Sequence, residues 1–380
     1  MKHVYLDNAG TTPMDPKVIK VMNDEMINTF GNASTPNFYG RAAHAVMDQA
    51  RAIIAKSINA QESEIIFTSG GSEGDNTAII QTALSHQKLG KHIITTSIEH
   101  EAVMKSMEYL ESIGFDVTYL PVDEHGEISL ADFKKALTSD TILVSIMMVN
   151  NEVGSINPIK QIGEILKNHQ AIFHTDAVQA YGTHKIDVKD LNVDLLTTSA
   201  HKINGPKMIG FMYEKDGLKL PSYIKGGDQE TKRRAGTENV PAMAGFAEAA
   251  KLNSDGVKAQ NNRKFYEDKQ LFIDELRKNN IDFAINGPKP NQATSNIINI
   301  WLKGFETSAM QINLDLAGYI ISGGSACTAG SLEPSHVLVA MFGKNSPRVN
   351  ESLRVSLNKM NSKNDILGLA DAISKIVKRN

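Results

Sequence analysis

The stretch Thr141-Ile-Leu-Val-Ser-Ile-Met-Met-Val149 is almost continuously apolar, and it decides the fold class. It is too short to span a membrane, and its composition is typical of a strand that is buried on both faces. Shorter runs, each followed by a polar turn and a helical pattern, lie at 64–68, 92–96, 171–175, 194–198 and 209–213. Strands that alternate with helices indicate βαβ crossovers, so we predict an α/β fold with a mostly parallel sheet.

The composition is that of an ordinary globular chain. Of its 380 residues, 41% are hydrophobic and 22% are charged, and this length suggests two or three domains. The net charge of -3 argues against a protein that binds nucleic acid through bulk charge. The single cysteine excludes an intrachain disulfide and a multi-cysteine metal cage, and it favours a reducing compartment. Since the N-terminus has no signal-peptide core, we predict a cytoplasmic enzyme with no metal site and no membrane span.

A polar stretch after the main strand–helix pattern divides the chain. Residues 251–264 carry Asn, Ser and Gly, and a different order of elements follows them. We predict a large domain at 15–255 and a smaller α+β domain formed by 1–14 and 256–380. The smaller domain would contain a helix near 265–279, a strand near 295–301, a glycine-rich loop at 322–331 and a helix from about 364.

Three short motifs do not support the chemistry that they suggest. His100 and Glu101 begin like a zinc-protease helix, but Met104 stands where the second histidine is required. Residues 205–210 have the outer glycine spacing of a P-loop without its lysine. The basic run at 232–234 is isolated, and a solvated or subunit-contacting surface explains it better than a nucleic-acid site.

Four polar clusters follow predicted strands, and together they fit one cofactor. Lys202 lies among small, hydroxyl and imidazole residues, where a depressed pKa and covalent bonding to a carbonyl group become feasible. Asp176 has the charge either to cap a helix or to pair with a protonated pyridine nitrogen. The loop Ser69-Gly-Gly-Ser72 leaves room for a phosphate at its backbone, and His100 suits stacking on an aromatic ring. Each cluster alone also has a structural explanation, but the four together indicate pyridoxal phosphate.

A series of motifs extends over almost the whole chain. They are Tyr5-Leu-Asp-Asn-Ala-Gly-Thr-Thr-Pro13, Gly31-Asn-Ala-Ser34, Phe67-Thr-Ser-Gly-Gly-Ser-Glu73, Glu99-His-Glu-Ala102, Val149-Asn-Asn-Glu-Val-Gly154, Thr175-Asp-Ala-Val-Gln179, Ser199-Ala-His-Lys202, Arg234-Ala-Gly-Thr-Glu-Asn239, Gly324-Ser-Ala-Cys-Thr328 and Leu353-Arg-Val-Ser-Leu357. In this order the motifs resemble those of cysteine desulfurases of the NifS and IscS kind. These enzymes belong to the class V aminotransferase family, whose members are fold-type I pyridoxal phosphate enzymes.

The resemblance implies a role for each matching position. Lys202 would bind the cofactor covalently and move the substrate Cα proton, while His100 would stack on the cofactor ring. Asp176 would pair with the pyridine nitrogen, Gln179 would bond the ring oxygen, and Cys327 would be the nucleophile that takes the sulfur. The cofactor-binding residues would be Gly71, Ser72, His100, Asn151, Asp176, Gln179, Ser199, His201 and Lys202, with Thr237 from the partner subunit of a homodimer. The substrate-binding residues would be Asn32, Asn151 and Arg354.

The resemblance also implies the reaction. L-cysteine would give L-alanine and a persulfide on Cys327, and an acceptor protein would take this sulfur for iron–sulfur cluster assembly or for thiolation of tRNA or cofactors. A selenocysteine or cystine lyase and an aminotransferase of the same fold are alternatives, although an aminotransferase needs no nucleophile beyond its lysine. A non-catalytic scaffold that binds the acceptor is a further alternative, against which Lys202, Asp176 and Cys327 argue. We expect no direct nucleic-acid or membrane partner.

Four positions depart from the family pattern. Gly10 replaces an alanine, and Met208, Asp228 and Asn358 each replace a glycine. None of these changes removes a group with a chemical role, so the predicted activity stands. They bear on loop geometry and on the docking of partners, and they leave the acceptor pathway open.

Overall fold

The computed structural model describes residues 3–323 and 334–378 of the chain. Its strands are β1 (Val4–Tyr5), β2 (Ile65–Thr68), β3 (His92–Thr96), β4 (Asp116–Leu120), β5 (Thr141–Ser145), β6 (Ile172–Asp176), β7 (Leu195–Ser199), β8 (Gly210–Glu214), β9 (Phe283–Asn286), β10 (Ile297–Leu302), β11 (Tyr319–Ile320) and β12 (Ser352–Ser356). Its helices are α1 (Pro16–Asn28), α2 (Phe38–Ser57), α3 (Gly71–Asn76), α4 (Thr82–His86), α5 (Glu101–Ser112), α6 (Leu130–Ala136), α7 (Ile159–Leu166), α8 (Val188–Leu191), α9 (Val240–Lys251), α10 (Asp255–Lys278), α11 (Thr307–Leu316), α12 (His336–Phe342) and α13 (Lys363–Val377). Within these described ranges, every helix is too short or too polar to cross a membrane.

A seven-stranded sheet forms the centre of the larger part of the molecule, with the order β2-β8-β7-β6-β5-β3-β4. The strands from β7 to β4 in this order are parallel, whereas β8 is antiparallel to both β7 and β2. All residues of β3, β5 and β7 are buried, as expected for strands that are covered on both faces. The prediction of an α/β fold with a mostly parallel sheet is therefore confirmed.

Alternate residues of the central strands face different hydrophobic cores. Ile94 and Val144 belong to the core that includes α1, α2 and α9, whereas Ile93 and Leu143 pack with α5 on the other face. Because side chains alternate across a strand, an apolar residue at every position covers both faces of the sheet. The apolar run at 141–149 has this composition for that reason.

The strand β5 is shorter than the apolar run that predicted it. It ends at Ser145, and the buried residues after it enclose a polar turn. The Asn150 side chain accepts the backbone N–H groups of Glu152 and Val153, and its amide donates to the carbonyl oxygen of Ile98. The last apolar residues of the run therefore shield these hydrogen bonds and do not extend the ladder.

The predicted polar break at 251–264 is wrong for most of its length. α10 begins at Asp255, and only 252–254 separates it from α9. Lys258 and Phe265 lie on the buried face of α10, and the half-buried Asn262 donates to the carbonyl oxygen of Thr183 at 2.6 Å. The polar composition misled the prediction because the first turns of α10 bury few apolar side chains.

A second core lies on the three-stranded antiparallel sheet β12-β10-β9. It contains Phe272 of α10, Ile300 of β10 and Ile373 of α13. Leu6 joins it because β1 pairs in parallel with β11. The domain boundaries at 15–255 and at 1–14 with 256–380 stay a prediction, which the separate cores support.

The N-terminal segment crosses from the second core to the large sheet. The backbone N–H of Ala9 donates to Ser356 Oγ at 2.9 Å, and Thr12 Oγ1 donates to the carbonyl oxygen of His201 at 2.7 Å. These contacts carry residues 9 and 10 to the turn that follows β7. The N-terminus thereby forms a wall of the candidate site.

Candidate active site

A cavity of about 220 Å³ lies where β5, β6 and β7 end. The predicted site residues that line it are Gly71, Ser72, His100, Asn151, Asp176, Gln179, Ser199, His201, Lys202 and Arg354. Ala9, Gly10, Asp75, Met147 and Val178 complete the lining. The carboxyl ends of parallel strands meet at one edge of a sheet, and this geometry brings together residues that are distant in the sequence.

Lys202 is held at the cavity wall by the N-terminal segment. It ends the short 3₁₀ turn Ala200–Lys202 directly after β7. Its Nζ donates to the carbonyl oxygens of Ala9 at 2.6 Å and Gly10 at 2.7 Å. These two acceptors restrict a side chain that would otherwise sample many rotamers. The sequence predicted the lysine but not its acceptors.

Asp176 is the last residue of β6 and is almost fully buried. Its Oδ1 accepts the backbone N–H of Val178 at 2.8 Å, which fixes the orientation of the carboxylate. Burial raises the pKa of Asp176, while the electrostatic influence of His100, the hydrogen bond from the Val178 N–H and the charge of Lys202 act in the opposite direction. The charged form of Asp176 is therefore stabilised by the neighbouring Lys202 cation, and a protonated pyridine nitrogen would supply another positive charge.

Two further carboxyl groups are buried close to Asp176. Burial and then the charge of Asp176 raise the pKa of Asp75 well above its usual range. Burial also raises the pKa of Glu99 to about 8, although the Met147 N–H and the Thr96 hydroxyl stabilise its carboxylate. Glu99 is thus mostly protonated at neutral pH, so it adds little negative charge beside Asp176.

His174 connects this buried group without contributing a charge. Its Nε2 lies 3.0 Å from Thr197 Oγ1 and 3.6 Å from Asp75 Oδ1, and its Nδ1 lies 2.9 Å from Ser145 Oγ. Because burial lowers the pKa of His174 to about 3, the imidazole is neutral and does not form an ion pair with Asp75. The network braces β5, β6 and β7 beneath the cavity.

The loop at 69–72 brings backbone and hydroxyl groups to the other end of the cavity. Gly70 has a φ of +150°, and a Cβ on Gly71 would lie only 2.9 Å from Val178 Cγ2, so both positions favour glycine. His201 Nδ1 lies 3.0 Å from Thr11 Oγ1. Burial, and then the charges of Lys202 and Lys207, lower the pKa of His201 to about 4, so its imidazole is neutral.

His100 and Gln179 are each oriented by a backbone contact. His100 Nδ1 accepts the N–H of Ala102 at 3.1 Å at the start of α5, so the neutral imidazole carries its proton on Nε2. Gln179 Nε2 donates to the carbonyl oxygen of Ala9 at 2.9 Å. Both side chains line the cavity, and their roles as a stacking group and a ring-oxygen donor stay predictions.

Arg354 is fully buried, and its charge is already compensated. Its Nη2 lies 2.6 Å from Asp7 Oδ1, and its Nη1 donates to the carbonyl oxygen of Asn151 at 3.0 Å. Its Nε is buried without a hydrogen-bond partner among the described residues. Sequence reasoning missed Asp7, although Asp7 lies within the first motif of the chain.

Two predicted site residues, Asn32 and Thr237, do not line this cavity. Asn32 is exposed in the segment before α2, and its Oδ1 accepts the N–H of Ser34. Thr237 is exposed beside a second cavity of about 150 Å³. Cys327 lies outside the described residues. The roles of all three stay predictions.

The four departures from the family pattern lie in different parts of the molecule. Gly10 lines the cavity, whereas Met208 is 73% exposed with a φ of +57° and Asp228 is exposed. Asn358 is buried, and its Nδ2 donates to Asn204 Oδ1 at 3.2 Å near the Lys202 turn. Asn358 therefore adds a contact between the second core and this turn, which a glycine would not make.

The residues of the cavity fit pyridoxal phosphate. The serine hydroxyls and backbone of the loop at 69–72 would bind a phosphate. The buried Asp176 carboxylate would pair with a pyridinium, and the Lys202 amine would bond to an aldehyde. The unpartnered Arg354 Nε would suit a substrate carboxylate. We conclude that the groups present match the charged and reactive ends of this cofactor and of an amino-acid substrate.

We predict that Glu99→Gln removes a pH dependence of stability. Because the native pKa of about 8 exceeds the ordinary value of 4.5, protonated Glu99 stabilises the fold fully below pH 4.5. This contribution, on the order of a few kcal/mol, is lost as pH rises towards 8. Urea unfolding of the purified protein at pH 6, 7, 8 and 9 should show a smaller decline for Glu99→Gln than for the parent. Glu101→Gln, a partly exposed neighbour, is the control, and equal declines in all three proteins would contradict the prediction.

Known proteins resemble this chain over almost its whole length. Residues 4–369 match the family described as Aminotransferase class-V. An IscS-type relative from Bacillus subtilis is 49% identical over the full length of both chains. The protein named cysteine desulfurase IscS from Methanosarcina thermophila is 43% identical, with 100% of this chain and 93% of that protein covered.

Solved structures show the same similarity in three dimensions. A NifS-like protein superposes with a TM-score of 0.93 at 32% identity and covers 100% of both chains. A structure described as SspA in complex with cysteine has a TM-score of 0.81 at 36% identity, covering 93% of this chain and 98% of the other. The fold-type I architecture predicted from the motifs is confirmed. The chain belongs to the class V aminotransferase family, within its group of NifS- and IscS-type cysteine desulfurases.

Proposed function

We propose that the protein removes sulfur from L-cysteine, releases L-alanine and retains the sulfur as a persulfide on Cys327. The observation that carries this proposal is the single cavity shared by Lys202, Asp176 and Arg354. An amine for the cofactor aldehyde, a carboxylate for its pyridine nitrogen and a guanidinium for the substrate carboxylate are the groups that the reaction requires. The relatives are named cysteine desulfurases, and one similar structure is described with bound cysteine, which supports the same substrate here.

The cofactor of this reaction would be pyridoxal phosphate. When bound, it withdraws electron density from the substrate Cα and so acidifies the Cα–H bond. The residues that would hold it are Gly71, Ser72, Ser199 and His201 at the phosphate, Asp176 at the pyridine nitrogen, Gln179 at the ring oxygen, His100 and Asn151 beside the ring, and Lys202 at the aldehyde. Thr237 would reach the phosphate from the partner subunit.

Lys202 would accept the Cα proton and return it to the substrate. The carbonyl oxygens of Ala9 and Gly10 hold its Nζ at the cavity wall, and a positioned amine there would accept the proton and return it elsewhere on the substrate. The Asp176 carboxylate, fixed by the Val178 N–H, would keep the nearby nitrogen protonated. A general base needs this kind of fixed geometry because proton transfer requires hydrogen-bond contact.

Arg354 would bind the substrate α-carboxylate. Its Nη2 donates to Asp7 and its Nη1 to the Asn151 carbonyl, which leaves Nε and the second N–H of each Nη without a partner in the described structure. Asp7 also balances the guanidinium charge when no substrate is present. Substrate binding would therefore complete the hydrogen bonding of a buried cation without introducing a new one.

The sulfur step would be carried out by Cys327. Its thiolate would form an S–S bond with the substrate sulfur as the Cβ–S bond breaks, and the electron pair of that bond would stay with the carbon fragment. Protonation of this fragment gives alanine, so the reaction needs no external oxidant or reductant. Because the chain has no second thiol, an external thiol would take the outer sulfur of the persulfide.

The partners of this reaction follow from its chemistry. We propose a homodimer, since Thr237, which the resemblance assigns to the partner's cofactor, is exposed and does not line the cavity of its own chain. We also propose a cytoplasmic location. The sulfur acceptor would be an iron–sulfur scaffold protein or an enzyme that thiolates tRNA or a cofactor.

We predict that borohydride reduction attaches the cofactor to Lys202. The purified protein should be yellow, and mass spectrometry of its peptides should find the cofactor mass on Lys202 alone. Lys202→Ala should lose the label and the turnover, whereas Lys207→Ala, exposed in the same loop, should keep both. A label on another lysine, or no label on the parent protein, would overturn the assignment.

We predict that Arg354→Ala raises the KM for cysteine. The loss of a buried charged contact to the substrate corresponds to about 2–4 kcal/mol, or roughly 30- to 1000-fold. Arg348→Ala is the control, because Arg348 stacks on Trp301 and Phe342 away from the cavity. Steady-state kinetics that give an unchanged KM for Arg354→Ala would show that the carboxylate binds elsewhere.

We predict that Cys327→Ser abolishes both persulfide and alanine formation while cysteine still binds. Binding is followed by the change in cofactor absorbance on addition of cysteine, and alanine is measured by amino-acid analysis. A variant that keeps the parental rate of sulfur release would identify direct elimination, which is the reaction of a lyase. The bound-cysteine spectrum separates this outcome from a misfolded variant.

A further inference from the structure

A strained segment lies beside the predicted phosphate loop, which consists of residues 69–72. Glu230, Thr231 and Lys232 are consecutive residues with φ values of 46°, 55° and 67°, in the left-handed region that non-glycine residues rarely adopt. Each such residue costs on the order of 1 kcal/mol, so the surrounding structure has to hold the segment in place. The same segment continues to Arg234 and to Thr237.

Two arginine–carboxylate pairs hold this segment against β2 and the loop that follows it. The first joins Arg51 of α2 to Glu230 through two hydrogen bonds of 2.8 and 2.7 Å. The Glu230 side chain is only 2% exposed, and its Oε2 also accepts the N–H of Phe67 in β2. This pair anchors the strained backbone to a strand.

The second pair joins Arg234 to Glu73, the residue after Ser72. Arg234 Nε donates to Glu73 Oε1 at 2.9 Å, and its Nη2 donates to Oε2 at 3.2 Å. Glu73 Oε2 also accepts the N–H of Ser69 at 2.8 Å, so the carboxylate closes the glycine-containing loop on itself. This pair anchors the segment to the phosphate loop.

The charge of Glu73 is costly at this position unless it is neutralised. Its side chain is 7% exposed and lies next to the predicted phosphate site. Burial acts to raise the pKa of Glu73, but the hydrogen bonds from Arg234 and Ser69 outweigh it and lower the pKa. Glu73 is therefore a carboxylate, and without Arg234 its uncompensated charge would repel a phosphate dianion bound at the adjoining residues 69–72.

We propose that Glu73 and Arg234 are positioning residues for the cofactor phosphate: Glu73 shapes the loop at 69–72, and Arg234 cancels its charge and ties the loop to the segment that ends in Thr237. This inference rests on the proposed use of pyridoxal phosphate. Because Thr237 would serve the partner's cofactor, the pair also makes the phosphate loop of one subunit depend on the segment that reaches the other.

The test compares two substitutions, each of which removes the arginine from one of the two arginine–carboxylate pairs. Arg234→Gln leaves Glu73 unpaired beside the phosphate loop, and the matched control Arg51→Gln leaves the equally buried Glu230 unpaired beside β2. The dissociation constant for pyridoxal phosphate is measured on the full chain after removal and titration of the cofactor. The ³¹P signal of the bound cofactor reports the phosphate environment, and thermal unfolding reports stability.

Arg234→Gln should weaken cofactor binding by about 10- to 100-fold and shift the ³¹P signal, as expected for the loss of charge-assisted hydrogen bonds. The double variant Arg234→Gln with Glu73→Gln should regain part of this affinity, since the repelling carboxylate is gone. Arg51→Gln should lower the unfolding temperature and leave the affinity within about twofold of the parent. If Arg234→Gln does not fold, Arg234→Lys is used in its place. Lysine keeps the positive charge but cannot form the paired hydrogen bonds that the guanidinium donates to Glu73.

Two results would overturn the inference. One is a parental affinity and ³¹P signal for the Arg234 variant, and the other is an equal loss of affinity for the Arg51 and Arg234 variants. A parent chain that itself binds no cofactor would instead overturn the proposed function. The two failures are therefore distinguishable.

Discussion

The hydrogen bonds from Lys202 to the carbonyl oxygens of Ala9 and Gly10 are the interaction on which the rest of the site depends. They place an amine at the carboxyl edge of the parallel sheet, close enough to Asp176 for its charge to affect that carboxylate. They also require the N-terminal segment to lie between the two cores, where Ser356 Oγ and the His201 carbonyl hold it. A reactive lysine is thus positioned by backbone groups that cannot titrate.

Charge balance is the second constraint. The cavity brings together Lys202, Arg354 and Asp176, and each charge has a fixed partner of opposite sign or a compensating hydrogen bond. The two other acids buried near Asp176 avoid adding negative charge, because burial raises the pKa of Asp75 well above its usual range and that of Glu99 to about 8. The site therefore keeps one carboxylate for the cofactor nitrogen without the repulsion of a second full charge nearby.

Much of this could be predicted from the sequence, because the key side chains follow strands. Lys202 and Asp176 stand at strand ends that apolar runs mark clearly, and the sheet topology brings such ends together. The contacts of Lys202 with Ala9 and of Arg354 with Asp7 join residues 193 and 347 positions apart, and no local pattern encodes them. The start of α10 at Asp255 was missed for a different reason, since its first turns contribute few apolar side chains to the core.

The ion pair between Asp7 and Arg354 has a consequence for biosynthesis. Asp7 is synthesised 347 residues before Arg354, which belongs to β12. While the chain is growing, the large sheet and Lys202 can form, but the guanidinium that faces the cavity has not yet been made. A nascent chain that has not yet reached Arg354 therefore lacks the guanidinium that would hold an amino-acid carboxylate, and it also lacks Ser356, which holds the N-terminal segment beside Lys202. Chemistry on free cysteine would begin only after Arg354 has been synthesised and has paired with Asp7.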